Sequence, residues 1–556
     1  MRRKLKYAAA AAAGVLLLLW LFCLPHDLFE GTTYSTVVTD RNGALLGARV
    51  ADDGQWRFPP RDTLPEKFVK ALVEFEDRTF FDHCGVSPRA LVRAAIQNIR
   101  NGRIVSGGST LTMQVIRLSR QKPRTLWQKL VETCMATRLE LRCSKEEILR
   151  LYAAHAPFGG NVVGIDAARW RYLGSDRTEL SWAEAATLAV LQNAPSSIHL
   201  ARNRDQLLAK RNRLLARLHA KGEIDEEDYA LALEESLIGE PYPMPQYAPH
   251  LVEWYDRKAH GQRTVTHIDR DLQHRMEEVL VRWNRELRQK GIRDLAAIIV
   301  EVESGEPAAY CGNSDLSFDR DGKWVDIARS PRSSGSILKP LLYAAALERG
   351  TILPNSLLPD VPMDFGGFAP KNFNGSFAGA IEADQALALS LNIPNVYLLK
   401  EYGILRFVET LREAGLKTLS RPADEYGLSL ILGGAEVTLV EITACYAKMA
   451  ACYRDSTRYP SFPLHDRIAL YRTFEAMREV VRPDEMDWRR ASSAQNIAWK
   501  TGTSYGSRDA WAIGLTPKYV IGVWAGNANG SGVADLTGAR IAGPVLFELF
   551  GLLPEC

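Results

Sequence analysis

Four prolines in nine residues, Pro241-Tyr-Pro-Met-Pro-Gln-Tyr-Ala-Pro249, divide this 556-residue chain into two dissimilar halves. Such a stretch cannot continue a helix and suits a semi-rigid connector. Upstream, residues 60–235 read as helical. Residues 64–76 have helical spacing, Ser87-Pro88 opens a helix, and Ser144 and Ser181 each precede a glutamate by three residues, the capping-box pattern. Residues 202–221 carry seven basic residues and one acid with leucines on a common side, which we read as the solvated face of a packed helix. Downstream, Asp269 is placed to cap a helix, and residues 296–302, 307–310, 497–501, 510–515 and 519–525 read as strands. A chain this long exceeds one core, and these patterns predict a mainly α domain followed by an α+β domain.

The N-terminus adds a third element. Arg2, Arg3, Lys4 and Lys6 precede the uncharged apolar residues 8–24, ended by Pro25 without a small-x-small cleavage site. This predicts an uncleaved single-pass transmembrane helix with its basic end in the cytoplasm and everything after it exported. The expected domains are 1–28 for tip and anchor, 50–235, a linker at 236–262, and 263–556.

A net charge of +3 with no basic tail gives no case for nucleic acid. The eight cysteines form no Cys-x-x-Cys pair, which argues against zinc and a dense disulfide framework. Most are expected to be small buried hydrophobes, with a Cys445–Cys452 bridge conceivable.

In the second half Ser336-Ile-Leu-Lys339, Ser390-Leu-Asn392 and Lys500-Thr-Gly-Thr503 follow in order. A serine hydroxyl needs a neighbouring base, and three-residue spacing on a helix places Lys339 on the face of Ser336. Burial and nearby positive charge would depress Lys339 enough to accept a proton, with Lys500 supplying that charge and attracting a substrate carboxylate. Ser390 and Asn392 would shuttle a proton and position the peptide. Thr501 and Thr503 would lie beside the substrate, and Gly502 would leave it room along the strand edge. The N–H groups of Ser336 and Thr503 would form an oxyanion hole.

With these motifs, and with Asn372-Phe-Asn-Gly375 and Gly433-Gly-Ala-Glu-Val-Thr438, residues 263–545 resemble the transpeptidase domain of bifunctional penicillin-binding proteins. The resemblance implies a β-lactamase-like fold, attack on a D-Ala-D-Ala stem, an acyl-enzyme on Ser336, and covalent inhibition by β-lactams. No Glu-x-x-Leu-Asn stretch follows Asn392, which favours a transferase over a lactamase. A β-lactam-sensing receptor and a D,D-carboxypeptidase are the alternatives that use the same serine.

In the first half, Glu76-Asp-Arg-Thr-Phe-Phe-Asp-His-Cys-Gly85 packs acids, aromatics and a histidine at a helix end. Gly107-Gly-Ser-Thr-Leu-Thr-Met-Gln-Val-Ile-Arg117 turns into a helix, the kind of N-terminus that holds anions. Lys129 and Glu132 stand three apart. Together these resemble the family-51 peptidoglycan glycosyltransferases over residues 55–225. The resemblance implies a lysozyme-like fold with Glu76 as base on the acceptor hydroxyl. Ser109, Thr110, Gln114 and Arg117 match the second motif, and Lys129 and Glu132 steady the departing diphosphate. Lys145 to Tyr152 match the fourth motif, and His83 is read as structural.

Met113 stands where most members have glutamine and Gln128 where they have arginine, and Ala153-Ala154 replaces Leu-Asn. Together with Ala156-Pro-Phe-Gly-Gly160, the chain resembles the 1C type of class A penicillin-binding protein, whose extra C-terminal β domain we expect to be absent. The whole then reads as a membrane-anchored synthase that polymerises lipid II and cross-links nascent peptidoglycan at the outer face of the inner membrane, alongside other cell-wall synthesis proteins. It requires no cofactor, although a divalent cation could assist Glu76.

Overall fold

A computed structural model of the protein describes residues 2–101, 108–123, 125–174, 179–192, 203–373, 375–482 and 496–554. It comprises two compact units. The first holds Met1–Thr39, Gly47–Gln246 and Tyr255–Thr264, and the second Asp40–Leu46, Tyr247–Trp254 and Val265–Cys556. The expected linker is thus shared between the units. It also contains a helix, Pro249–Lys258, in which proline occupies the first turn, where its missing N–H costs nothing.

The first unit is helical. α1 (Arg2–Leu21) is followed by α2 (Glu66–Glu76), α3 (Pro88–Asn101), α4 (Leu111–Arg120), α5 (Leu126–Glu140), α6 (Lys145–His155), α7 (Ile165–Leu173), α8 (Trp182–Leu191), α9 (Arg204–Ala220) and α10 (Glu226–Glu234). Both predicted capping boxes are present, at Ser144 and Ser181. α8 is buried along its length and packs against α2 and α9. α9 turns Leu207, Leu214, Leu215 and Leu218 inward, as expected of a packed helix with a basic outer face.

Among the described residues no helix is long and apolar enough to cross a membrane. α1 spends its first residues on Arg2, Arg3, Lys4 and Lys6, so its uncharged part, residues 7–21, rises only about 22 Å. Its C-terminal end rests on α5, where Trp20 Nε1 donates to Thr137 Oγ1 at 3.0 Å and Arg138 Nε to the Leu21 carbonyl at 3.2 Å.

The second unit is built on a five-stranded antiparallel sheet. Its strands are β1 (Asp294–Glu301), β2 (Pro307–Cys311), β5 (Ala498–Thr503), β6 (Asp509–Leu515) and β7 (Tyr519–Gly526), in spatial order β5-β6-β7-β1-β2. A separate hairpin pairs β3 (Leu357–Asp360) with β4 (Gly379–Glu382). One face of the large sheet is covered by α11 (Arg270–Arg288) and α16 (Gly543–Phe550), through Met276, Leu280, Trp499, Val523 and Leu546. The other face receives α14 (Leu439–Arg454), and a side chain at Gly522 would collide with Thr443 of that helix. Burial on both faces explains why the strands read as apolar runs rather than alternating ones. Asp269 caps α11 as predicted.

Two cysteine expectations are corrected. Cys445 and Cys452 lie on α14 two turns apart, about 10.5 Å along the axis, too far to bridge. Of the described cysteines only Cys311, Cys445 and Cys452 are buried; Cys84 and Cys134 are exposed.

Candidate active sites

In the first unit Glu76 is the last residue of α2, and α4 lays Gln114 against it, with Gln114 Nε2 donating to Glu76 Oε2 at 2.9 Å. The amide is fixed in that sense because its other end, Oε1, accepts from Arg117 Nη2 at 3.2 Å and faces the Tyr152 hydroxyl at 3.5 Å. Burial, with the Glu76 carboxylate nearby, holds the Tyr152 phenol well above its ordinary value, so it remains a donor. Glu76, Gln114 and Arg117 are thus brought together, and Tyr152 joins them although sequence reasoning gave it no role.

The next residue, Asp77, supports this corner. Its Oδ2 accepts from His83 Nε2 at 3.0 Å and from the Leu111 N–H, at the start of α4, at 3.1 Å. His83 Nδ1 accepts from the Gly85 N–H at 3.1 Å, so the ring is the Nε2–H tautomer and acts as a brace. Lys145 ties α6 to the same loop, donating to the His83 carbonyl at 2.7 Å and pairing with Glu140 at 2.8 Å.

Thr110 departs from its predicted substrate role. It is 1% exposed, its hydroxyl donates to the Gly85 carbonyl at 2.6 Å, and it accepts from Met113 N–H as the N-cap of α4. Ser109 beside it is half-buried; Gly107 lies outside the described residues. Lys129 and Glu132 sit on α5, which packs against α4, with Lys129 exposed and Glu132 buried. Gln128 accepts from Arg120 Nη2 at 3.4 Å, and Met113 is a core residue. Ala153 and Ala154 are buried, and the Ala154 carbonyl lies where a side chain at Gly164 would be, 2.6 Å away.

In the second unit the three motifs converge. Ser336 is half-buried in a turn before α12 (Lys339–Glu348), so Ser336 and Lys339 do not share a regular helix as the spacing suggested. The segment runs through i to i+3 bonds instead, with Ile337 N–H to Ser334 carbonyl and Lys339 N–H to Ser336 carbonyl both at 3.2 Å. This tighter winding leaves the Ile337 carbonyl outside the helical ladder. The fully buried Tyr446 of α14 donates to it at 2.8 Å, and Trp511 Nε1 donates to the Ser333 carbonyl at 2.8 Å. The Ser336 turn is pinned at both ends by aromatic donors that no motif marks.

Lys339 is fully buried. Its Nζ donates to the Ser390 carbonyl at 2.8 Å, the Leu391 carbonyl at 3.1 Å and Asn392 Oδ1 at 2.8 Å. Burial, with Lys500 adding positive charge, holds its pKa well below the usual lysine value. Lys500, on β5, donates to Ser390 Oγ at 2.7 Å and to the Thr501 carbonyl at 2.8 Å, and burial pushes it down to about 7. Ser390 serves both lysines, with its backbone in the left-handed region at φ 56°, a strained conformation for a serine.

Gly502 is corrected. A Cβ there would meet Ile337 Cγ2 and the Ser334 carbonyl at 2.8 Å, so the missing side chain admits the Ser336 turn rather than substrate. Gly335, at φ 53°, lets the turn approach the Thr503 backbone closely, since a Cβ on it would lie 2.7 Å from the Thr503 nitrogen and 2.8 Å from its carbonyl oxygen. The Thr503 hydroxyl accepts from Gly538 N–H at 3.0 Å, and Thr501 is half-buried. β5 is an edge strand of the sheet.

Among the described residues no group of three or more His, Cys, Asp or Glu side chains is arranged to hold a metal ion.

Comparisons agree with this geometry. The Transglycosylase family model matches residues 43–219, and the Penicillin binding protein transpeptidase domain matches residues 295–546. Penicillin-binding protein 1C of Escherichia coli is 39% identical over 93% of this chain and 68% of its own length. Penicillin-binding protein 1A of Aquifex aeolicus is 28% identical over 88% of this chain and 82% of its own length. The crystal structure of Penicillin-Binding Protein 1A from Haemophilus influenzae superposes with a TM-score of 0.53 at 18% identity, covering 94% of this chain and 93% of that one, which shows a shared fold. With both domains matched in order, and with that identity along nearly its whole length, this chain belongs to the class A, bifunctional penicillin-binding proteins of the 1C type, which synthesise and cross-link peptidoglycan.

Proposed function

We propose that Glu76 and Ser336 are the two reaction centres of this synthase, one for glycan polymerisation and one for cross-linking. In the first, the Glu76 carboxylate, oriented by Gln114, takes the proton of an acceptor sugar hydroxyl. The hydroxyl oxygen then bonds to the donor's anomeric carbon as the bond to the lipid-linked diphosphate breaks. Arg117 and Lys129 would supply the cations that hold the departing diphosphate, with Ser109 and Glu132 as further polar groups of that site.

In the second centre, Lys339 takes the proton of Ser336 Oγ as the oxygen attacks the stem's penultimate carbonyl. The neutral amine has two N–H bonds and one lone pair, so one of its three present acceptors must be released to aim that pair at the serine. The oxyanion would be met by the Ser336 and Thr503 N–H groups, and the close approach of the Ser336 turn to Thr503 that Gly335 allows supports this. The proton passes through Ser390 to the leaving D-alanine nitrogen as the C–N bond breaks. The amine of a second stem then attacks the acyl-serine and restores Ser336 Oγ–H. Lys500 and Thr501 would face the stem's terminal carboxylate, and the β5 edge would let the stem lie as an added strand.

The observation that carries this reading is the convergence of Lys339, Ser390, Asn392 and Lys500 on one hydrogen-bonded cluster. β-Lactams would acylate the same serine. Membrane attachment is supported by the exposed Val15, Leu16, Leu17, Leu18, Leu19 and Phe22 around α1, and by exposed Leu126, Trp127 and Leu130 on α5 against which α1 packs. We therefore place the chain as a single-pass inner-membrane protein acting on the outer side, on lipid II and nascent peptidoglycan, with other cell-wall synthesis proteins as partners. Mapping of the fluorescent penicillin adduct tests the second centre. An adduct on Ser336 is expected, and labelling that survives Ser336→Ala would remove that assignment. Failure of wild-type protein to polymerise lipid II would remove the first.

A further inference from the structure

Lys339 is only as well aimed as its acceptors. Two are backbone carbonyls, and the third, Asn392 Oδ1, belongs to an amide that could turn either way. Its orientation is set from the loop joining β3 to β4. Asn392 Nδ2 donates to the Lys371 carbonyl at 2.8 Å, which turns Oδ1 toward Lys339. The Asn392 N–H donates to Asn372 Oδ1 at 2.9 Å, with the Ile393 N–H a longer donor at 3.4 Å.

Asn372 is in turn fixed by polarity. It is 4% exposed, and its Nδ2 donates to Asp360 Oδ1 at 2.7 Å and to the Ser376 carbonyl at 2.9 Å. Asp360, 1% exposed at the end of β3, has its other oxygen held by the Ala378 N–H at 2.8 Å. Carboxylate and carbonyl oxygens only accept, so Asn372 must turn its nitrogen toward them and its oxygen toward the backbone of Asn392.

We propose that Asp360 and Asn372 are positioning residues for cross-linking, a buried relay that sets the orientation of Asn392 and, through it, the direction in which Lys339 accepts a proton. The inference rests on Lys339 being the base. Neither residue touches substrate. A purely architectural pair would hold the loop, and its loss would reduce the fraction of active molecules without altering those that remain.

The test uses the full-length protein and the rate constant for acylation by fluorescent penicillin across pH, counted per titratable active site. Asn372→Asp would set two carboxylates against each other and should slow acylation about tenfold or more. Asp360→Asn combined with Asn372→Asp restores a donor–acceptor pair of reversed polarity but leaves the Ser376 carbonyl facing a carboxylate, so it should recover part of that loss. In Asn372→Ala, the Asn392 N–H loses its acceptor and the loop that carries the Lys371 carbonyl loses a tie, so Asn392 Oδ1 is held less firmly toward the Lys339 ammonium. The plateau should fall, and the acid limb of the profile should move to lower pH. The inference is overturned if each variant keeps the wild-type rate and limb per active site, or if the double variant is no faster than Asn372→Asp. A wild-type protein that forms no adduct on Ser336 would instead overturn the acyl-enzyme reading beneath it.

Discussion

Two buried lysines that share Ser390 would make the proposed cross-linking centre sensitive to pH in opposite ways. Acylation should rise with pH as Lys339 sheds its proton, then fall above about 7 as Lys500 loses the charge that attracts a carboxylate. Stability should respond too. Between about 7 and the unfolded lysine value near 10.4, the unfolded chain binds a proton that folded Lys500 does not, so unfolding becomes harder as pH rises through that window. Below about 7 the full cost of the buried cation is present. Lys500→Met should therefore abolish acylation, raise the melting temperature of its unit at pH 6, and reduce its rise between pH 7 and 10 to the part that Lys339 supplies. Calorimetry across pH measures this. The lysines, serines and Asn392 were legible because each sits in a short motif, and the three motifs follow in a recognisable order. Tyr446 and Asp360 were not, because no motif marks them, and Tyr152 stood in a motif without a role until its hydroxyl was seen facing Gln114.

At the scale of elements, close packing of the β5 edge against the nucleophile's turn explains two glycines. Gly502→Ala would press a methyl onto Ile337 and Ser334, costing about 1–3 kcal/mol and displacing Ser336. Penicillin acylation should fall more than stability does. Tyr446→Phe leaves the Ile337 carbonyl buried without its donor, costing about 1–3 kcal/mol, and should slow acylation while β-lactam affinity before acylation is kept. Stopped-flow labelling separates those two terms. Helix starts were readable from Ser144, Ser181 and Asp269, because a cap is a local hydrogen bond. The winding at Ser336 was not readable, because i to i+3 and i to i+4 turns place residues three apart on similar faces. Gly502 was misread for a related reason: sequence shows that a side chain is missing, not what fills its place.

At the scale of the whole molecule, one chain carries two centres whose products and substrates follow in sequence. The proline-rich boundary showed that there are two units, but not that residues 40–46 and 247–254 join the second, since such exchanges arise from contacts between distant segments. If α1 anchors the chain, removal of residues 2–21 should release it from alkali-washed membranes while penicillin labelling persists, as fractionation would show. Whether Glu76 and Ser336 serve separable reactions is read from the glycan and cross-link content made from lipid II by Glu76→Gln and by Ser336→Ala protein. We predict that Glu76→Gln makes no polymer yet still binds penicillin, and that Ser336→Ala makes polymer of normal length without cross-links. Polymer from Glu76→Gln, or cross-links from Ser336→Ala, would contradict it.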